Sequence, residues 1–417
     1  MSTQHILLSI CVPTYNRSLF IGPLLDSLKE LDTLEISYEI IICDNNSTDG
    51  TEEVIGRWLD QYDNIVYFKQ KNNVGALNNL ISAYRLAKGE FCVYLADDDR
   101  LDMQMLRSYL GYLVQNKNTV ALYAPVNLWN DLSGKSRGIS YQLDKEYLFN
   151  KKNSLELFNL IIHRNVLPEN YIVRTDVICK IATTPHETYW AFVFITNLLS
   201  CGDIVFMPTP YYKYLIASAE GPRMTLGYIE ATKNQHHLRA GIEYMAQKVC
   251  KLSYGDDIPD SSLRGASEMI NAYVANKMHP GALLLLEANN PRGAYEWLVR
   301  VQSLGWKDQY SVDGFNNVFS IRAAAQHIVE TFYGFTFLNK LAIYNSASPE
   351  LLLDSLRRQG PNIELMIIAD SEFDVFTDQS RVLVVAGVES DRLLLQAAGF
   401  SAGLILIETE CLAQFRL

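Results

Sequence analysis

The sequence predicts an α/β protein: a mostly parallel sheet at the N-terminus, a helical middle region and a second, smaller α/β block at the C-terminus. Three observations carry that prediction. Strand-like and helix-like signals alternate through the first hundred residues, three of the strand-like runs there end in clusters of polar residues, and four more apolar runs separated by helical stretches begin near residue 338.

The run ILLSICVP, closed by a proline, reads as the first strand, and SLFIGPLLDSLKEL then places apolar residues at helical spacing. YEIIICD repeats the strand pattern and leads into NNSTDGTEEVIGRWLDQY, where Asp49 and Glu52 have the spacing of a capping box. NIVYFKQ is a third strand. In NVGALNNLISAYRLAKG, Leu77, Leu80, Ile81 and Tyr84 share one helical face, and Gly89 falls in the usual C-terminal stop position. EFCVYLA is the fourth strand. Such an order implies a mostly parallel sheet with helices on both faces.

From about residue 105 to 225 the pattern is less regular, with a helix, a strand near TVALYAPVNLW, the polar excursion NDLSGKSRG and the final GDIVFMPTPYYKY. This stretch completes a first domain over 1–225. Residues 226–335 read as helical, and 336–417 as a small Rossmann-like domain. In that last block KLAIYN, ELMIIAD, RVLVVAG and AGLILIE are strands, while SPELLLDSLRRQG and DRLLLQAAGF are helices. IYNSASPELLLDSL could present a helix N-terminus to an anion, but it lacks GxGxxG and implies no cofactor.

Composition narrows the function. The formal net charge of −11 argues against nucleic acid as a partner. The seven cysteines are scattered, with no CxxC pair, and read as reduced packing residues of a cytoplasmic protein. The N-terminus carries no signal-peptide pattern, and no apolar run approaches the roughly 20 residues that cross a bilayer, so membrane contact would be peripheral, at the inner face of the membrane.

The polar clusters at the strand ends are TYNR, DNNSTDG and DDDR. In an open parallel sheet, ligands bind outside the carboxyl ends of the strands, so these clusters would share one crevice. The triplet Asp97, Asp98 and Asp99 allows two readings: a solvated turn or helix cap, or a carboxylate cluster for a hard divalent cation such as Mg2+ or Mn2+. In the second reading the cation offsets carboxylate repulsion and bridges a diphosphate.

With these residues in view, the chain resembles family 2 glycosyltransferases of the GT-A fold. The resemblance rests on SICVPTYNR, YEIIICDNNSTDGT, NNVGALNNLISAYRLAKGEFCVYLADDDRL and GDIVFMPTPYYKY, and covers about the first 220 residues. The DDD ending and the NNVGALNNL helix resemble the abequosyltransferase-like branch of bacterial surface-polysaccharide enzymes. The resemblance implies that Pro13, Thr14, Tyr15 and Asn16 line the base and ribose of a nucleotide sugar, and that Asp44 accepts a hydrogen bond from the base. An ionised carboxylate only accepts, which suits uracil, thymine or guanine, hence UDP, dTDP or GDP donors, better than cytosine. Asn73 and Gly75 match the region near base and diphosphate, Asp97 and Asp98 match the nucleotide-sugar site, and Asp99 with Asp97 matches the metal position. Arg17 is either a phosphate contact or an exposed strand-end arginine, and Asp44 alternatively closes an Asx turn.

Inverting transfer also needs a base for the acceptor hydroxyl. Many relatives use an aspartate in an ED dipeptide, absent here. The matching stretch TTPHETYWAFVFITNLLSCGDIVFMP offers Glu187 first and His186 second, with Asp176 an outsider better read as a helix cap. Tyr189, Trp190, Phe192 and Phe194 read as core, with stacking on an acceptor the alternative, and Tyr211 or Lys213 either approaches the diphosphate or belongs to an apolar strand flanked by turn prolines. The expected activity is metal-dependent sugar transfer to a glycan or lipid-linked acceptor, with homo-oligomer formation or partner docking assigned to the helical and C-terminal regions. The alternatives are a noncatalytic sugar-nucleotide-binding scaffold and a nucleotidyltransferase. The second lacks support in VPTYNRSLFIG, which is neither Gly-rich nor strongly basic.

Overall fold

The computed structural model describes residues 5–184, 188–217, 235–305 and 313–416. The chain forms two compact units, with Ile270 the last residue of the first and Asn271 beginning the main part of the second.

The first unit begins with strand β1 (Leu8–Thr14), helix α1 (Ile21–Leu28), β2 (Tyr38–Asp44), α2 (Thr51–Leu59), β3 (Ile65–Lys69), α3 (Ala76–Leu86) and β4 (Phe91–Tyr94). These are the four strands and three helices expected from the alternating signals. β1 is central, pairing in parallel with β2 on one side and β4 on the other, and is buried along nearly its whole length. Burial on both faces is why LSICVPT reads as a continuous apolar run and not as an alternating one. α1 packs inward through Ile21, Leu24, Leu25 and Leu28, the helical spacing visible in the sequence.

Two local expectations give way. No capping box forms at α2: its N-cap is Gly50, and Asp49 accepts instead from the amide and hydroxyl of Thr51 and from the amide of Ser18. Gly89 is not the stop signal of α3, which ends at Leu86. A Cβ on Gly89 would lie 2.7 Å from backbone atoms of Leu8 and Ser9, so glycine is required there by the approach of this turn to β1.

The unit continues through β5 (Arg100–Leu101), α4 (Met103–Gln115), β6 (Thr119–Tyr123), β7 (Val126–Asn130), β8 (Lys135–Ile139), β9 (Tyr147–Phe149), α5 (Ser154–His163), β10 (Tyr171–Arg174), α6 (Thr175–Ile181), α7 (Trp190–Leu199), β11 (Asp203–Phe206), β12 (Tyr212–Ala217) and α8 (Gln235–Tyr254). The run TVALYAPVNLW thus gives two strands in different sheets, parted at Ala124 and Pro125, since proline has no N–H for a ladder. The main sheet has eight strands in the order β3-β2-β1-β4-β10-β6-β11-β9, with β10 and β9 antiparallel to their neighbours. A smaller sheet runs β5-β12-β7-β8. Asp176 does not cap α6. It lies within the first turn and pairs with Lys180 at 3.1 Å, one turn along the exposed face.

After α9 (Asp260–Glu287), the second unit contains α10 (Pro291–Ser303), α11 (Asp313–Tyr333), β13 (Lys340–Tyr344), α12 (Pro349–Gln359), β14 (Glu364–Ile368), β15 (Val382–Ala386), α13 (Ser390–Ala397), β16 (Ile405–Ile407) and α14 (Glu408–Ala413). Its four strands form an all-parallel sheet in the order β14-β13-β15-β16, the Rossmann-like pattern expected of the four apolar runs. Among the described residues no helix is long and apolar enough to cross a membrane.

Candidate functional site

The order β3-β2-β1-β4 makes the boundary between β1 and β4 the place where strand succession reverses. Loops leaving the two strands there diverge and open a crevice at the carboxyl ends. Thr14 ends β1 and Asp97 follows β4. The Thr14 hydroxyl donates to Asp97 Oδ2 at 2.7 Å across this point, joining residues 83 apart in sequence.

The three polar clusters meet around it. Asn16, with φ of 54°, donates its amide to Ser47 Oγ at 2.8 Å, and its Oδ1 accepts from the Thr48 amide at 2.8 Å. The Asn45 amide donates to the Thr14 carbonyl at 2.8 Å. Asn45 Nδ2 donates to Asn73 Oδ1, which also accepts from the Gly75 amide, and Gly75 enters α3 with φ of 83°. That left-handed backbone is accessible to glycine at little cost. Asn79, buried on α3, donates to the Cys43 carbonyl at 2.6 Å. Loops that follow β1, β2 and β3 are therefore fixed to one another by short polar side chains, with Pro13 partly buried and Tyr15 and Asn16 exposed.

Asp44 is fully buried. Its Oδ1 accepts from the Ser47 amide at 2.8 Å and hydroxyl at 2.6 Å, and its Oδ2 accepts from the Tyr67 hydroxyl at 2.9 Å. Burial, with the Asp44 hydrogen bond second, raises the Tyr67 pKa far above the ordinary phenol range, so Tyr67 stays a donor.

The aspartate triplet is not a solvated turn: Asp97, Asp98 and Asp99 are 6%, 8% and 3% exposed. Nor does it cap α4, because Asp102 performs that task by accepting from the Met105 amide at 3.1 Å. Asp99 Oδ2 accepts from the Tyr212 hydroxyl and Oδ1 from the Leu215 amide, each at 2.9 Å. The Tyr212 hydroxyl in turn accepts from the Ala96 amide at 3.0 Å. Arg17 Nε stands 3.3 Å from Asp97 Oδ1 and its Nη2 stands 3.9 Å from Asp98 Oδ2. A guanidinium, always charged, offsets the repulsion that three adjacent buried carboxylates would otherwise suffer. The sequence offered Arg17 only as a phosphate contact or a surface residue. Its pairing with the triplet depends on the β1–β4 adjacency, which no local pattern encodes.

Tyr94, at the end of β4, has its pKa raised well above the phenol range by burial first, then by the charges of Glu169 and the triplet. Glu169 was passed over in the sequence. It precedes β10, and because β10 runs antiparallel to β4, with Ile172 opposite Val93, its start lies at the same rim as the triplet. Tyr189 donates to Glu169 Oε1. No local pattern marks Glu169, because its place at the rim follows from the direction of β10 in the sheet.

His186 and Glu187 lie outside the described residues. Tyr211 belongs to the core, fully buried against Tyr109, and its neighbour Tyr212 reaches the triplet instead. Lys213 Nζ lies 5.1 Å from the centre of the Trp129 ring. Phe192 and Phe194 are fully buried and Tyr189 nearly so, as expected of core, while Trp190 is partly exposed. Among the described residues no three His, Cys, Asp or Glu side chains form a metal-holding group. The donor chemistry nevertheless fits one Mg2+ or Mn2+, which takes one or two protein carboxylates and completes its shell with water and phosphate oxygens.

Comparison with known proteins matches residues 9–164 to the family described as glycosyl transferase family 2. The Salmonella typhimurium abequosyltransferase RfbV is 33% identical over 154 residues, covering 34% of this chain and 46% of that protein. The GalNAc(5)-diNAcBac-PP-undecaprenol beta-1,3-glucosyltransferase of Campylobacter jejuni is 29% identical over 259 residues, covering 59% of this chain and 80% of the relative. The solved structure of S. aureus TarS 1-349 in complex with UDP-GlcNAc aligns at 18% identity and TM-score 0.46, covering 86% of this chain and 89% of that one. This chain spans less than half the length of the first relatives it matches. The stretch that matches glycosyl transferase family 2, residues 9–164, lies within the N-terminal unit and carries Thr14, Asp44, Asn73, Gly75 and the aspartate triplet.

Proposed function

We propose that the N-terminal unit transfers a sugar, with inversion, from a nucleoside-diphosphate donor to a hydroxyl of a glycan or lipid-linked acceptor in bacterial surface-polysaccharide or glycoconjugate synthesis. The observation that carries this reading is the Thr14–Asp97–Arg17 cluster at the strand-order reversal, in a segment that matches the family. The names of the relatives, an abequosyltransferase and an undecaprenol-linked glucosyltransferase, support the acceptor class.

Thr14, Tyr15 and Asn16 with Pro13 would line the base and ribose, and Asn73 and Gly75 would border base and diphosphate. Asp44 braces the loop after β2 through Ser47, and a ring N–H of uracil, thymine or guanine would need one of its remaining lone pairs. A divalent ion would be held by Asp97 and Asp99, with Asp98 beside the donor, and would neutralise charge on the departing diphosphate. Glu187 ahead of His186 is the proposed base, with Glu169 as the rim carboxylate competing for that role. A reducing cytoplasmic setting at the inner membrane face suits seven free thiols. We assign 1–225 to the transferase domain, and the regions 226–335 and 336–417 to self-association or partner docking.

The test is a thermal-shift screen with UDP, dTDP and GDP, each with and without Mn2+, followed by donor hydrolysis and transfer assays. A ligand that binds only the folded state raises the transition. A metal-dependent shift with one nucleotide, and loss of turnover without loss of that shift in Glu187→Gln, is the expected outcome. Absence of any nucleotide shift would sink the reading, and a shift without turnover would favour a noncatalytic binding scaffold.

A further inference from the structure

Each aspartate of the triplet is satisfied differently. Among the described residues Asp99 accepts from the Tyr212 hydroxyl and the Leu215 amide, so its charge is spread into fixed dipoles. Asp97 has the Thr14 hydroxyl on one oxygen and Arg17 on the other, and Asp98 faces Arg17 as well. The arginine is itself steered into place: its amide donates to Thr51 Oγ1 at 2.9 Å, and its guanidinium lies 5.3 Å from the centre of the Phe20 ring. Only a fifth of its side chain is exposed. A protein cation therefore stands against Asp97, one of the carboxylates that the metal reading assigns to a divalent ion.

We propose that Arg17 is a resident counter-ion that holds Asp97 and Asp98 in the metal-free chain, and that it exchanges these carboxylates for the donor diphosphate when a divalent ion binds. The inference rests on the metal-dependent reading above and adds a positioning role to it. Guanidinium suits both states, because its planar fork of donors matches carboxylate and phosphate oxygens alike and it never loses its charge. The exchange moves no proton: Asp97 passes from a guanidinium to a metal ion, whose double charge also faces the adjacent Asp98, and the guanidinium passes from carboxylate to phosphate. It also makes metal and donor bind together. While the carboxylates are paired with Arg17, the metal-competent state is a minor one, and the apparent metal affinity falls by that fraction. A nucleoside diphosphate that engages Arg17 removes the competition.

The test measures Mn2+ binding by the electron paramagnetic resonance signal of the free ion, for the full chain and for Arg17→Gln and Arg17→Lys, with and without UDP or GDP. Arg17→Gln should bind Mn2+ about tenfold more tightly than the unmodified chain when nucleotide is absent, the factor expected if the pair is formed about nine-tenths of the time. It should also lose most of the enhancement of Mn2+ binding that nucleotide brings. Arg17→Lys, which keeps a charge but not the fork, should fall between. Should Arg17→Gln fail to fold, a crystal structure of the unmodified chain with Mn2+ and nucleoside diphosphate serves instead: the Arg17–Asp97 pair should be broken and the guanidinium placed on phosphate. Equal Mn2+ affinity in the unmodified chain and Arg17→Gln, or an intact Arg17–Asp97 pair beside bound metal, overturns the exchange and leaves the metal reading standing. No Mn2+ binding by any variant, with or without nucleotide, overturns both, and nucleotide binding is then judged separately by thermal shift.

Discussion

Tyr212 donates its hydroxyl to Asp99 at 2.9 Å across a separation of 113 residues, and the same oxygen accepts the Ala96 amide at 3.0 Å. One phenol thus ties β12 of the smaller sheet to the turn that presents the triplet. Tyr212→Phe keeps the ring and removes both bonds, taking one donor from a buried carboxylate and the acceptor from a backbone N–H. The expected loss is about 2 kcal/mol or more of unfolding free energy. Urea unfolding checks it, and on the proposed function metal-dependent nucleotide binding should weaken in the same variant.

Gly89 sits where β1 leaves no room for a side chain. A Cβ there would meet Leu8 C and Ser9 N at 2.7 Å and Ser9 Oγ at 2.8 Å. The Gly89 amide also donates to Ser9 Oγ, whose hydroxyl donates to the buried Glu39. Gly89→Ala should destabilise the first unit by about 1–3 kcal/mol, because the obstruction is backbone and cannot rotate away. A gain in Tm on this substitution would show that the turn can shift.

Glu408 opens α14 with its side chain 3% exposed and neither carboxylate oxygen within hydrogen-bonding geometry of a partner among the described residues. Burial raises its pKa, with the Ser346 hydroxyl and Ala347 amide pulling weakly the other way. The folded state then holds its proton more tightly than the unfolded state. Stability falls as pH rises from the ordinary glutamate range through the raised value and stays lower above it. Glu408→Gln removes this titration, so its Tm should vary less with pH across that window and exceed that of the unmodified chain at neutral pH. A Tm–pH curve for the variant parallel to the original would contradict this.

The thiols should separate by accessibility. Cys201 is exposed and Cys179 half-buried, while Cys11, Cys43, Cys92, Cys250 and Cys411 are buried. Burial pushes Cys43 up to about 12 and Cys411 to about 11, and holds Cys11 well above the ordinary thiol range, so little thiolate exists at neutral pH. Titration with a thiol-specific disulfide reagent should label Cys201 rapidly, Cys179 slowly because its Sγ donates to the Tyr84 carbonyl, and the remaining five only on unfolding. Fast labelling of Cys11, Cys43 or Cys92 in the native chain would show that the β1–β2–β4 core opens readily.

The secondary-structure elements and the polar rim are both written in the local pattern of the chain. The alternation of apolar runs marks strands and helices because burial on one or both faces of an element writes a short-range period into the chain. That is why β1 to β4, α1 to α3 and the four C-terminal strands lie where the apolar runs place them. The family signature likewise singled out Thr14, Asn73, Gly75 and the triplet, which the fold gathers at one edge.

The partner that each polar group takes follows instead from how the strands pack. Asp49 has the spacing of a cap yet bonds Thr51 and Ser18, and Gly89 looks like a helix stop yet serves the close approach to β1. Arg17, read from the sequence as a phosphate contact or a surface residue, pairs with Asp97, and Tyr212, which no local pattern marks, donates to Asp99. Glu169 reaches the rim only because β10 runs against β4. The physical reason is common to all of these. A period of two or of 3.6 residues is a property of neighbours along the chain, whereas a buried charge is stabilised by whichever donor the packed strands bring within hydrogen-bond reach, and that depends on strand order and direction.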